Sequence, residues 1–321
     1  MSTTLLPPDL VALLARQDGV VARFQALEEG LRAHQVERLL RRREWALLQP
    51  GVYVDHTGRP TWRQRAWGAV LGHWPAALFG ASVLAATHST GAAADLIHVG
   101  IDRTRARPAR VPGVAVHFVT DLEARARWNL SPPRLRFEDA VLDLAASAEN
   151  DLAAVAVLLD ACGSRRTTAA RLRSALDERC RISRRPWIEA VLTDAAEGTH
   201  SVLERGYREL ERAHGLPQAL RQCREETPTG VVYRDARYGR TATVELDGWA
   251  VHGRREQWEA DLARDLEVAA DGGVNVRLGY RQVYGTGCAT IAAVIRFLRS
   301  RGIEVTPYAC GAGCPVAAVL P

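Results

Sequence analysis

Val231-Val232-Tyr233-Arg234-Asp235, a turn at Tyr238-Gly239-Arg240, and Thr241-Ala242-Thr243-Val244-Glu245-Leu246-Asp247-Gly248 decide the fold of the last third of this chain. The first part reads as an extended segment and the last as its returning strand. Alternation puts Thr241, Thr243, Glu245 and Asp247 on one face of the return strand and Ala242, Val244 and Leu246 on the other, where they can be buried. The turn at Gly239 can then bring Asp235 beside Glu245 and Asp247, giving three carboxylates within reach of one divalent cation. Oxygen-rich sites select Mg2+ or Mn2+, ions suited to neutralising phosphate charge. Without a ligand, the same acids would be the solvated face of an ordinary hairpin.

The surroundings add order to this motif. A helix is expected from His200 to His214, with Glu204 near its start. After the hairpin, Trp258, Leu262 and Leu266 recur at helical spacing within Arg254–Asp271, Val274–Leu278 reads as a buried strand, and a last helix runs from Ala289 to Arg301. This order, with Asp235, nine intervening residues and Glu245-Leu246-Asp247-Gly248, resembles the DUF559 group, which is similar to very-short-patch-repair endonucleases of the PD-(D/E)xK superfamily. The resemblance covers about the last third of the chain. It implies a restriction-endonuclease-like αβββαβα core and metal-binding roles for Asp235 and Glu245. It also implies a supporting acid at Glu204 and a water-orienting or proton-transfer role for His252. One departure stands out. The position two after Glu245 holds Asp247 where the superfamily has its motif lysine, and the whole chain contains no lysine. Arginine stays protonated, so the base for hydrolysis would have to be His252, a carboxylate or a metal-activated water.

At the N-terminus, short helices are predicted over Asp9–Arg16, Arg23–Glu28 and Ala33–Arg43, followed by a hairpin of Trp45–Leu48 and Val52–Val54 around Gln49-Pro50-Gly51. Three helices and a hairpin describe a winged helix-turn-helix. This arrangement, with Arg41-Arg42-Arg43-Glu44-Trp45 and Gln49-Pro50-Gly51-Val52-Tyr53-Val54, resembles the N-terminal domain of AbiEi-type antitoxins and regulators. That resemblance implies duplex DNA contact through Arg38, Arg41 and Arg42; a winged helix that only packs on its neighbours is the alternative.

Between these ends, a mixed segment has helices near Trp62–Leu71 and Gly80–Thr87 and strands at Leu96–Ile101 and Val114–Val119. The strands flank a basic loop, Arg103–Arg110, that could follow a phosphate backbone or be an exposed hairpin loop of solvated charge. His88, His98 and His117 lack ligand spacing and are assigned structural roles. From Arg136 to Ala196 the pattern is helical, with Thr167 or Thr168 as a cap and Pro186 in a first turn. The expected architecture is α/β, an α+β multidomain chain: a winged helix over 1–58, a mixed then helical region over 59–198, the endonuclease-like domain over 199–305 and a cysteine-containing tail over 306–321.

The tail has its own signal. Cys310-Gly311-Ala312-Gly313-Cys314 places two thiols four residues apart around a glycine turn, and Cys288 precedes the last predicted helix. Tetrahedral Zn2+ takes four ligands, of which these are three. Cys223 or, less favourably, His252 is the candidate fourth. Free thiols, or a redox pair of Cys310 and Cys314, would use the same residues without metal.

At 321 residues with 47% hydrophobic side chains, the chain can bury more than one core. A formal charge of +5, its positive side all arginine, permits nucleic-acid binding without requiring it. No apolar run reaches the ~20 residues that span a bilayer, and Met1-Ser2-Thr3-Thr4-Leu5-Leu6-Pro7-Pro8 lacks a basic region ahead of an apolar core, so no membrane partner and a cytoplasmic location are expected. Two functions follow as expectations: a Mg2+- or Mn2+-dependent DNA endonuclease, or a DNA-binding regulator with an inactive nuclease fold and a toxin-system partner.

Overall fold

A computed structural model describes residues 6–87, 95–197, 199–227, 230–239, 242–246 and 275–320. They belong to two compact units, Met1–Leu144 and Ala145–Pro321.

The first unit opens with α1 (Pro8–Arg16), β1 (Val20–Ala22), α2 (Arg23–Glu28), α3 (Ala33–Arg41), β2 (Ala46–Gln49) and β3 (Val52–Val54). The strands form an antiparallel sheet in the order β1-β3-β2. Leu10, Leu14, Val21, Ala26, Leu31, Val36, Leu39, Trp45 and Tyr53 make one buried cluster with Leu40 packed against it, so α3 turns its apolar positions Val36, Leu39 and Leu40 to the core. That helix ends two residues before its predicted limit. Arg43 takes a left-handed backbone with φ 57°, which an α-helix cannot continue through.

A second layer follows: α4 (Trp62–Gly72), β4 (Ala76–Leu78), α5 (Ala81–Thr87), β5 (Ile97–Asp102), β6 (Val114–Val119), α6 (Leu122–Arg125), β7 (Ala126–Arg127) and β8 (Arg134–Leu135). The sheet order is β6-β5-β4-β8-β7. Strands β5 and β6 run parallel, with Ile97 opposite Val114. The basic segment between them is therefore a crossover that returns to the same end of the sheet, and the hairpin reading of Arg103–Arg110 is corrected. Two of its arginines are used within the unit. Arg105 donates to the carbonyls of His73 and Pro75 at 2.6 and 2.9 Å, and the Arg107 guanidinium lies 5.3 Å from the centre of the Phe118 ring.

The unit boundary falls within α7 (Phe137–Ala146), and the helical region continues as α8 (Asp151–Gly163), α9 (Ala169–Asp177) and α10 (Arg185–Glu197). Of the two threonines proposed as a cap, Thr168 accepts the Arg171 amide at 3.2 Å. Pro186 sits in the first turn of α10, where its missing N–H costs nothing.

The remainder is α11 (Ser201–Ala213), β9 (Leu220–Thr227), β10 (Gly230–Tyr238), β11 (Ala242–Leu246), β12 (Asn275–Leu278), a π-helical turn at Arg281–Gly285, α12 (Gly287–Ser300) and a 3-10 turn at Pro315–Val319. The sheet order is β12-β11-β10-β9, an antiparallel run of three strands extended by β12 parallel to β11. Ala236, Tyr238, Ala242, Val244, Leu246, Val276 and Leu278 are buried, as expected for the apolar face of the return strand, but Thr243 on its other face is buried as well, so burial does not alternate along β11. The predicted helix Arg254–Asp271, together with Asp247, His252 and His88, lies outside the described residues. Among the described residues no helix is long and apolar enough to cross a membrane.

Candidate functional site

The β10–β11 ladder pairs Ala236 with Val244, Arg237 with Thr243 and Tyr238 with Ala242. The paired register ends at Ala236 and Val244, and Asp235 and Glu245 are the next residues of the two neighbouring strands, the Asp235 carboxylate reaching the amide of Leu246 beside Glu245. Gly239 itself has φ 58°, a conformation glycine adopts without strain. The Asp235 carboxylate is held from two sides. Its Oδ2 accepts the Leu246 amide at 2.7 Å, and its Oδ1 lies 3.5 Å from the Gln222 side-chain amide.

Gln222 also links this edge to a helix, donating to Glu204 Oε1 on α11 at 2.8 Å. Its own backbone is left-handed at φ 49°, at the step where the β9–β10 register passes from Cys223 to Arg221. Glu245 has a different neighbour. Arg277, its register partner on β12, approaches its Oε2 at 3.4 Å. Glu204, Asp235 and Glu245 are thus gathered around one end of the sheet. Their carboxylate oxygens do not converge as tightly as a complete ligand set would.

A tighter cluster lies among His214, Cys288, Cys310 and Cys314, whose donor atoms all fall within 4.8 Å of one another and which could hold a metal ion such as zinc. The three cysteines are those singled out in the sequence. The fourth member is His214, which corrects the choice of Cys223; that thiol stays on β9, near the Arg221 carbonyl. Three elements assemble the cluster. His214 follows the last turn of α11, and its Nδ1 bonds the Leu210 carbonyl at 2.9 Å. Cys288 stands in the first turn of α12, whose Gly287 lies so close to the Leu210 side chain that an added Cβ would come within 2.7 Å of it. The tail brings Cys310 and Cys314, with Gly313 at φ 75° in the turn between them.

Burial and electrostatics differ around the cluster. His214 and Cys314 are buried, and Cys310 is exposed. Burial pushes the Cys288 thiol up, reinforced by hydrogen bonds with Cys310 and Cys314, to about 11. Burial opposes ionisation at Cys314 too, but hydrogen bonds with the backbone of Cys310 and Val316 and with the side chains of His214 and Cys310 bring that thiol down to about 6. No sequence signal pointed to His214, because a histidine at a helix end, 74 residues before Cys288, has no recognisable ligand spacing.

Arg41 and Arg42 are exposed on and just after α3, Arg38 is half-buried on that helix, and Arg42 lies 3.8 Å from Glu44. Compared with known proteins, the chain matches no protein-family model and no curated protein.

Proposed function

We propose that the second unit is a metal-dependent phosphodiester hydrolase acting on DNA as an endonuclease. The observation that carries this reading is the contact of Asp235 with β11 at the Leu246 amide beside Glu245, with Glu204 tied to the same carboxylate through Gln222. Support also comes from the sheet, in which three antiparallel strands follow a helix and a fourth joins in parallel. Asp235 and Glu245 are hard oxygen donors suited to Mg2+ or Mn2+, which would neutralise charge on the scissile phosphate. The Leu246 amide and the Gln222 amide fix how Asp235 presents its oxygens, and Glu204 takes the supporting position. With no lysine in the chain, proton transfer falls to a carboxylate or to His252. In this reading the N-terminal helices and hairpin dock duplex DNA through Arg38, Arg41 and Arg42, and the protein works in the cytoplasm.

A second reading is favoured by one contact. Arg277 already neutralises Glu245, as would suit a nuclease fold that has lost its metal and kept only DNA affinity, acting as a regulator with a toxin-system partner. Cleavage of supercoiled plasmid and of mismatched duplex with Mg2+ or Mn2+ separates the two, comparing wild type with Asp235→Ala and Glu245→Ala, each shown folded by circular dichroism. Metal-dependent nicking lost in both variants supports the hydrolase. Three equally inert proteins that bind duplex with a steep salt dependence would establish the regulator.

A further inference from the structure

We infer that His214, Cys288, Cys310 and Cys314 bind one Zn2+ in a closed, four-ligand site that fastens the C-terminal tail to α11 and α12. This goes beyond the hydrolase reading and does not depend on it.

Four observations carry the proposal. The first is the donor set: three sulfurs and one imidazole nitrogen within 4.8 Å of one another form a Cys3His group, which zinc favours over magnesium or calcium. The second is spacing. Cys288 Sγ and Cys310 Sγ are 3.6 Å apart, close to the separation of about 3.8 Å for two thiolates each about 2.3 Å from a tetrahedral zinc.

The third is the aim of a buried atom. His214 is 1% exposed and its Nδ1 is committed to the Leu210 carbonyl, while its buried Nε2 is turned to the Cys314 thiol without a well-formed hydrogen bond. A buried ring nitrogen so weakly satisfied is costly, and a bound metal supplies a full partner. The Nδ1 bond also selects the tautomer that leaves the Nε2 lone pair free, the usual support for a zinc-bound imidazole.

The fourth is the state of the tail. From Ile303 to Cys314 no helix or strand is formed, so few backbone bonds anchor it. It is tied to α11 at the same place as the cluster: the Tyr308 amide donates to the His214 carbonyl at 3.1 Å and its hydroxyl to the Arg212 carbonyl at 2.5 Å. Beyond the cluster, Val316 is fully buried and Arg299 of α12 donates to the Val319 carbonyl at 2.5 Å. Cross-linking an irregular segment to two helices is what a structural zinc site does. Four protein ligands leave no open coordination position, so the ion serves structure and activates no water.

The test uses the full chain, purified under reducing conditions without chelator. The expected result is one zinc per chain by elemental analysis, released when the thiols are modified. Exchange for Co2+ should give the intense visible bands of tetrahedral thiolate coordination. His214→Cys should keep four ligands and shift those bands. Loss of an outer-shell partner alone costs about 10–100-fold in affinity, so His214→Ala, which removes a ligand, should weaken zinc binding in chelator competition by more than about tenfold. Cys180→Ser, at an exposed thiol outside the cluster, should leave zinc content unchanged. Wild-type protein that holds neither zinc nor Co2+, or a Cys314→Ser and His214→Ala double variant that retains both, would overturn the proposal. A metal-free wild type with Cys288 and Cys310 joined as a disulfide would do so too. None of these readouts involves DNA cleavage, so the zinc site and the hydrolase reading fail separately.

Discussion

Tyr207 on α11 and Tyr238 on β10 meet phenol to phenol at 2.8 Å, and the Tyr238 hydroxyl donates a hydrogen bond to the buried carboxylate of Glu211. Arg221 closes the group by pairing with Glu211 while its guanidinium lies 5.6 Å from the centre of the Tyr207 ring. Burial pushes both phenols well above their ordinary range, so each remains a donor at any working pH. These bonds fasten the helix carrying Glu204 to the strand carrying Asp235. Tyr238→Phe removes one donor from buried Glu211 and the acceptor of Tyr207, and should cost about 1–3 kcal/mol by urea denaturation. An unchanged midpoint would show that the phenols add no stability.

The start of α11 depends on a residue from the preceding helix. Asp194 of α10 is 4% exposed and accepts the Val202 amide at 2.8 Å, the Ser201 hydroxyl at 2.7 Å and the Thr199 hydroxyl at 3.0 Å. It thereby satisfies a helix N-terminus whose own N-cap residue, His200, supplies no side-chain bond. Asp194→Ala should destabilise the second unit by about 1–3 kcal/mol, and Asp194→Asn, which keeps an acceptor, by less. Equal losses in the two variants would point to packing as the cause.

Gly215 admits the tail. Its φ is 70°, and a Cβ there would come within 2.8 Å of the Thr306 carbonyl oxygen and 2.7 Å of the Tyr308 ring. Gly215→Ala should therefore cost about 1–3 kcal/mol through backbone strain alone. Hydrogen exchange would read it as faster exchange at Tyr308, whose amide bonds the His214 carbonyl. Unchanged protection would mean that the tail is seated by other contacts.

In the first unit His98 Nδ1 lies 2.9 Å from His117 Nε2, and the His117 ring stacks on Phe79 with centroids 4.4 Å apart. Burial lowers both histidines from the ordinary 6.5, and the mutual charge of the pair lowers His117 further, against a raising influence from Asp143. The folded form therefore resists protons that the unfolded chain accepts. Stability is complete above about pH 6.5 and falls as the pH drops through that value towards the depressed folded pKa values. His117→Gln should flatten this acid slope in thermal melts between about pH 7 and 5, whereas a slope identical to wild type would assign the acid sensitivity elsewhere.

Sequence periodicity located the local elements well. The helical stretch after Arg136, the strand whose Ala242, Val244 and Leu246 are buried, and the inward face of α3 all follow from short-range patterns of apolar side chains. The strands that escaped notice are short or polar. Strand β1 has three residues, and β9 reads Leu-Arg-Gln-Cys-Arg-Glu-Glu-Thr, with no apolar alternation to reveal it.

What the sequence by itself determined is the set of chemical types: Asp235 and Glu245 spaced to face each other across a turn, three cysteines towards the C-terminal end, and no lysine anywhere. What only the tertiary structure decided is which distant residues complete each set. His214 joins the cysteines because Gly287 and Gly215 let α12 and the tail close on the end of α11, and Arg277 reaches Glu245 because β12 adds in parallel beside β11. The direction of β6 and the use of Gln222 between Glu204 and Asp235 were likewise settled by packing. The physical reason is range: hydrophobic periodicity encodes the face of each element, whereas strand direction and converging ligands depend on contacts between segments far apart in the chain.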